Sequence, residues 1–179
     1  MFTRLPVPQT VIDGGLAALL ALSLVGCATT APTGTFTQGL PKEHIVDKND
    51  NVSVKVEASQ GVSIADYDKQ RLSQKIKEKI DIQKLNNAGS GDAGNYEIGV
   101  LLTRYEKGNA FARAMLAGLG QIHIDAHVSQ TVLPERKKVS EFDIDKTFAW
   151  GGIYGGVTSI EDVERGFADG IAATLTKAN

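Results

Sequence analysis

Residues 121–150 read QIHIDAHVSQTVLPERKKVSEFDIDKTFAW, and this stretch decides the fold. Ile122, Ile124, Ala126 and Val128 fall on alternate positions, with His123, Asp125, His127, Ser129 and Thr131 between them. A period of two is the pattern of a strand with one buried face. Residues 134–138 (PERKK) supply a turn, and residues 139–150 return with Phe142, Ile144, Phe148 and Trp150 on one face. Centring the turn on Arg136 pairs Ile122 with Trp150, Ile124 with Phe148 and Val128 with Ile144, and sets Asp145 opposite His127. Apolar residues then meet over most of the hairpin. Lys146 is the one charged side chain on that face.

Working outward, Val52, Val54 and Val56 alternate with polar residues as a first strand. Ser63 and Asp66 have the spacing of a capping box. The helix expected after them carries Leu72, Ile76 and Ile80 and stops near residues 86–89 (NNAG). Residues 96–105 (YEIGVLLTRY) read as a strand apolar on both faces, hence central. Downstream, Ser159 and Asp162 open a last helix that buries Ile160, Val163, Phe167, Ile171 and Leu175. The order β-α-β-(short helix or loop)-β-β-α predicts an α+β two-layer sandwich, with two amphipathic helices on one face of a four-stranded sheet.

The chain has 179 residues, 42% hydrophobic and 22% charged, with net charge −2. That length suits one folded domain. The apolar fraction excludes a disordered chain, and the absence of a basic excess argues against nucleic-acid binding. A single cysteine excludes a disulfide framework and any zinc site built on cysteine pairs.

The most apolar stretch lies at one end. Leu16 to Val25 (LAALLALSLV) follows a leading segment with Arg4. Ten such residues are too few to span a bilayer and suit the apolar core of an export signal, so residues 1–26 are assigned as a signal peptide. Its end, LVGC (24–27), resembles the bacterial lipobox. The resemblance implies that Cys27 receives diacylglycerol, that cleavage precedes it, and that its new amino group is acylated. This accounts for a lone cysteine in an exported chain, and more than one acyl chain makes anchoring stable. Ala28, rather than Asp, follows the cysteine, which by the same resemblance implies the outer membrane. Removing 26 of 179 residues leaves 153, still with net charge −2. Residues 27–44 are expected to be the lipidated cysteine and a flexible linker reaching about 20 Å. Residues 45–179 then form the single α+β domain.

Four features bear on chemistry. GGIYGGVT (151–158) approaches the phosphate-loop pattern, but Val157 stands where the lysine belongs. A tight strand-to-helix connection is the plainer reading. His123, Asp125 and His127 share one strand face, but same-face neighbours lie ~7 Å apart, too far for one metal without a twist. They are weak metal candidates on a solvated face. No G-x-S-x-G elbow or paired acid and base stands out, so no catalytic residue and no cofactor are assigned. Residues 109–120 (NAFARAMLAGLG) are almost wholly apolar, with Arg113 the only charge; Asn109 is placed to cap a short helix ending at Gly118. The segment reads either as a crossover helix packed under the sheet or as an exposed interaction patch of Phe111, Met115, Leu116 and Leu119.

A lipobox, AGSG (88–91), RYEKGN (104–109), Arg113, GLG (118–120) and WGGIYGG (150–156) before a final helix resemble a family of bacterial lipoproteins known only as a domain of unknown function. The resemblance covers roughly residues 45–177, rests mostly on structural glycines, and supplies no catalytic residues. The layout is also similar, more distantly, to small α/β domains of envelope lipoproteins that activate penicillin-binding proteins or serve curli secretion. The expectation is a lipid-anchored, periplasm-facing outer-membrane lipoprotein acting as a binding, scaffold or accessory module without catalysis. Its expected partners are the bilayer, through acylated Cys27, and another envelope protein or itself, and not nucleic acid. The alternatives are a homo-oligomeric envelope or secretion component, and a metal-dependent enzyme or small-ligand carrier using the His123/Asp125/His127 face.

Overall fold

The structure, a computed structural model, describes residues 30–89, 92–116 and 119–177. The expected signal peptide, Cys27, Ser90, Gly91 and the helix-ending Gly118 lie outside the described residues. Five strands form one sheet: β1 (Thr35–Gln38), β2 (Asn51–Ala58), β3 (Asn95–Glu106), β4 (Ile122–Val132) and β5 (Lys137–Phe148). Among the described residues there are four α-helices: α1 (Asp66–Gln83), α2 (Ala110–Met115), α3 (Gly152–Val157) and α4 (Ile160–Thr176). The strand order is β1-β5-β4-β3-β2. Only the β2–β3 pair, joined through α1, is parallel; the other pairs are antiparallel.

The α+β class follows the sequence, and α1 and α4 pack together over one sheet face. Leu72, Ile76 and Ile80 from α1 and Val163, Phe167, Ile171 and Leu175 from α4 are fully buried there. Beneath them lie Ile98, Leu102, Ile122, Ile124, Phe142 and Phe148.

Five local expectations are corrected. The sheet has a fifth strand, in residues read as linker. An edge strand leaves backbone donors and acceptors unpaired, and the Thr-rich segment Thr35–Gln38 pairs with β5, with Phe36 edge-on to Phe142 at 5.5 Å. The hairpin partners are displaced by two residues: Ile122 faces Phe148, Ile124 faces Lys146, Val128 faces Phe142 and His127 faces Asp143. The turn lies earlier than assumed, over residues 133–136, and a bulge follows Gln130. A two-residue slip preserves the side-chain face, so Phe142, Ile144 and Phe148 still enter the core as expected. Trp150 therefore falls beyond β5 and is half-exposed. Ser63 does not cap α1, whose cap residue is Ala65 without a side-chain bond, because the helix starts later than the Ser63 spacing assumed. By contrast Ser159 and Asp162 form a reciprocal capping box on α4.

The middle strand is β4, and β3 is apolar on one face only. Tyr96, Ile98, Val100 and Leu102 point inward, until a bulge between Leu102 and Arg104 switches the phase. Tyr105 then faces the core instead of solvent, the re-aiming that such irregularities produce. Its hydroxyl donates to Glu164 Oε1 at 2.8 Å.

Candidate functional site

The β3–β4 connection and the chain leaving β5 emerge at the same end of the sheet, since Ile122 pairs with Phe148. Each forms a short helix, α2 and α3, and the two pack against each other. Asn109 caps α2 as expected, its side chain accepting from the Ala112 N–H at 2.9 Å. Small residues set the close approach. A Cβ added to Gly156 would lie 3.1 Å from Ala114 Cβ, and one on Gly155 would lie 2.1 Å from the Trp150 carbonyl oxygen. The glycine-rich segment 151–158 is therefore a helix seated on its neighbour, in place of the loop expected from the phosphate-loop comparison.

The polarity of α2 is inverted. Its one charged residue, Arg113, is only 3% exposed, whereas Phe111 is 73% exposed and Met115, Leu116 and Leu119 are also exposed. The segment is not a crossover packed under the sheet. Arg113 points inward because backbone acceptors wait there. Its Nε donates to the Gly155 carbonyl at 2.8 Å, its Nη2 to Thr158 at 2.8 Å and its Nη1 to Gly120 at 2.7 Å. The carbonyls of Gly155 and Thr158 lie at the carboxyl end of α3, where helical partners run out. Burial lowers the proton affinity of the guanidinium, and arginine stays charged nonetheless. With arginine inside, the apolar side chains are left outside.

The partner helix adds to them. Trp150, Ile153 and Val157 are exposed, Ile153 at 88%. Tyr154 turns inward, edge-on to Phe148 at 5.9 Å and to Trp150 at 6.1 Å. The four patch residues named from the sequence thus join three more from α3 and its lead-in. By sequence alone Trp150 belongs to the core face of the hairpin and Ile153 and Val157 to a connection. The signal that finds Ile153 and Val157 is their four-residue spacing within 152–157, which the glycines obscure.

The His123/Asp125/His127 face is the open side of the sheet. His123 Nδ1 bonds Thr147 Oγ1 at 2.9 Å, and His127 bonds Asp143 at 2.8 Å and Glu141 at 3.2 Å. The expected histidine–carboxylate pair exists, with Asp143 rather than Asp145, a consequence of the shifted register. Asp145 faces Asp125 instead. Burial pushes the Asp125 carboxyl up, Arg104 opposes this and Asp145 adds to it. Among the described residues no group of three or more His, Cys, Asp or Glu side chains is placed to hold a metal ion. An open groove of about 270 Å³ on this face is lined by His127, Lys55, Glu57 and Glu97 but not by His123 or Asp125.

The hydrogen bond to Asp143 raises the His127 pKa, burial opposes it, and Glu141 adds to the rise. A raised imidazole contributes stability that is fully present below its unfolded value, about 6.5, and lost as pH rises through the folded value. We expect an NMR titration midpoint for His127 above that value, moving down in Asp143→Asn. A midpoint unchanged by the substitution would show that the pair is not formed in solution. The pair is partly exposed, so its effect on stability stays within about 1 kcal/mol.

No curated protein matches this chain significantly. Two crystal structures of the PelC dodecamer from Paraburkholderia phytofirmans share its fold, at TM-score 0.52 and 8% and 10% identity, covering 82% of this chain and 100% of that one. A Xanthomonas campestris protein of family DUF330 is more distant, at TM-score 0.40 and 13% identity, covering 82% of this chain and 89% of that one. At these identities the PelC likeness is one of fold. The family model described as a domain of unknown function, DUF4410, matches residues 40–152, from before β2 to the start of α3 and including all of α2. The chain belongs to that family.

Proposed function

We propose that this protein is an exported lipoprotein, acylated at Cys27 and held on the periplasmic face of the outer membrane, that works by binding rather than by catalysis. The observation that carries the binding role is the outward-facing apolar end formed by α2 and α3. Scattered single apolar residues are normal on a surface; seven on two adjoining short helices and the residues flanking them are not, and such patches mark contact surfaces. The anchor rests on the sequence ending LVGC (24–27). The most deeply buried carboxylate, Glu164, already accepts from Arg71, Lys75 and Tyr105, which gives it a structural task.

Cells fed labelled palmitate test the anchor. Wild type is expected to carry label and to fractionate with the outer membrane, and Cys27→Ser to lose both. Purified wild-type protein without acyl mass on Cys27 would refute the anchoring.

A second reading, assembly of identical copies, is favoured by the fold shared with PelC, whose structures are of a dodecamer. The native mass in mild detergent separates the two. A monomer removes the assembly reading, and a closed oligomer establishes it.

A further inference from the structure

We propose that the apolar end formed by α2 and α3 lies on the lipid bilayer itself, so that patch and acyl chains together fix the domain in one orientation. This rests on the acylation of Cys27 proposed above. Thr30 is not at the end of a loose linker. Lys146 Nζ donates to both its carbonyl and its hydroxyl oxygen at 2.7 Å. Pro32 lies against Gly170 of α4, leaving no room there for a Cβ. Beyond it, Thr35 and Phe36 pair with Asp143 and Phe142.

That pairing is antiparallel, so traced backwards from β1 the chain runs along β5 towards Phe148, the end from which α3 departs. Cys27 is three peptide units before Thr30, and consecutive Cα atoms are about 3.8 Å apart, so it lies within about 11 Å of Thr30. The twelve residues of β5 span about 40 Å at ~3.3 Å each. A tether fixed beside Lys146 and this short brings the membrane to the near end of the sheet and cannot serve it from the far end. The near end is the one that exposes Phe111, Leu116, Trp150 and Ile153. Aromatic and aliphatic side chains on short amphipathic elements are the chemistry of the bilayer interface. The occupant is therefore lipid, in preference to a second copy.

The chain has one tryptophan, Trp150, which lies in the patch and reports on it directly. The experiment uses the full acylated protein in phosphatidylethanolamine/phosphatidylglycerol vesicles, with and without brominated acyl chains. Intact mass is read on the same sample. Trp150 emission is expected to shift to the blue and to fall at least about twofold with bromines, matching interfacial burial of ~5–10 Å. The quenching should weaken in Phe111→Ser combined with Ile153→Ser, two exposed sites whose substitution leaves the core intact. Acyl mass with Trp150 unquenched and open to iodide overturns the docking and leaves the anchor standing. Blue-shifted but unquenched Trp150 also overturns it, and assigns the patch to another copy. Missing acyl mass overturns anchor and docking together.

Discussion

Glu164→Gln is expected to destabilise the fold by about 3 kcal/mol, the lower end of the ~3–5 kcal/mol seen when one partner of a buried ion pair is removed. Glu164 has no exposed surface. Arg71 reaches it with Nε at 3.0 Å and Nη2 at 2.8 Å, Lys75 Nζ at 2.8 Å and Tyr105 at 2.8 Å. The two cations come from α1, the phenol from β3 and the carboxylate from α4, so one side chain ties both helices to the sheet. Without its charge, Arg71 keeps Asp68 at 2.8 Å and Glu161 at 3.7 Å, whereas Lys75 keeps the Glu161 backbone carbonyl but loses the carboxylate that balances it. Both retain some contact with water, which is why the lower figure applies. A loss of this size lowers Tm by roughly 10 °C in a domain of this length.

The pH dependence has a definite sign. Burial alone would push the Glu164 carboxyl up, but the bonds from Arg71, Lys75 and Tyr105 outweigh it and hold the carboxyl below the usual range. A depressed carboxylate contributes stability that is present above its unfolded value, about 4.3, and lost as pH falls through the folded value. The gap between wild type and Glu164→Gln should therefore be full at neutral pH and close in acid. Urea titrations at pH 7 and pH 3 measure it. Equal stability at pH 7 would show that the cluster is not formed. Replacing all three charges, with Glu164→Leu, Arg71→Leu and Lys75→Met together, should recover part of the loss, since no cation is then left unpaired.

This cluster shows how far the sequence could be read. Leu72, Ile76, Ile80, Phe167 and Ile171 were legible because a helical period repeats over several turns. Glu164 was not, because a lone glutamate on an amphipathic helix looks solvated. Its burial depends on Arg71 and Lys75, 93 and 89 positions away, and on a bulge that turns Tyr105 inward. The same holds for the edge of the sheet. Thr35–Gln38 has too few residues to show a period, and its strand exists only because β5 offers an open edge. The face of the hairpin was legible and its register was not, since a two-residue slip leaves the apolar pattern unchanged. At the candidate site, Phe111, Met115, Leu116 and Leu119 were visible as an apolar run. Their exposure was undecidable locally, because it turns on which side of α2 faces carbonyl oxygens supplied by α3.

Arg113→Met tests that point, and its expected effect is concentrated at the functional end. Methionine keeps an apolar stem of similar length but donates nothing, so the carbonyls of Gly155 and Thr158 lose the arginine donors that now satisfy them, and that of Gly120 keeps the Asn109 N–H at 3.1 Å. A buried polar group left unpaired costs about 1–3 kcal/mol, and such losses are not additive when shared by one side chain. We expect the α2–α3 pair to open more easily by about 2–3 kcal/mol, which speeds amide exchange there roughly 30- to 150-fold. The main core does not use Arg113, so exchange in α1, α4 and the central strands should change little. Arg113→Lys should fall between, because an ammonium cannot match the planar fork that reaches three carbonyls at once. Trp150 emission provides a second reading, since its ring packs on Tyr154 of the helix that Arg113 holds. Unchanged protection of residues 110–116 and 152–158 in Arg113→Met would show that the helices hold together without the arginine. The apolar surface would then owe its outward orientation to packing of the small residues alone. Faster exchange confined to those residues would identify the buried charge as what turns the apolar side chains outward.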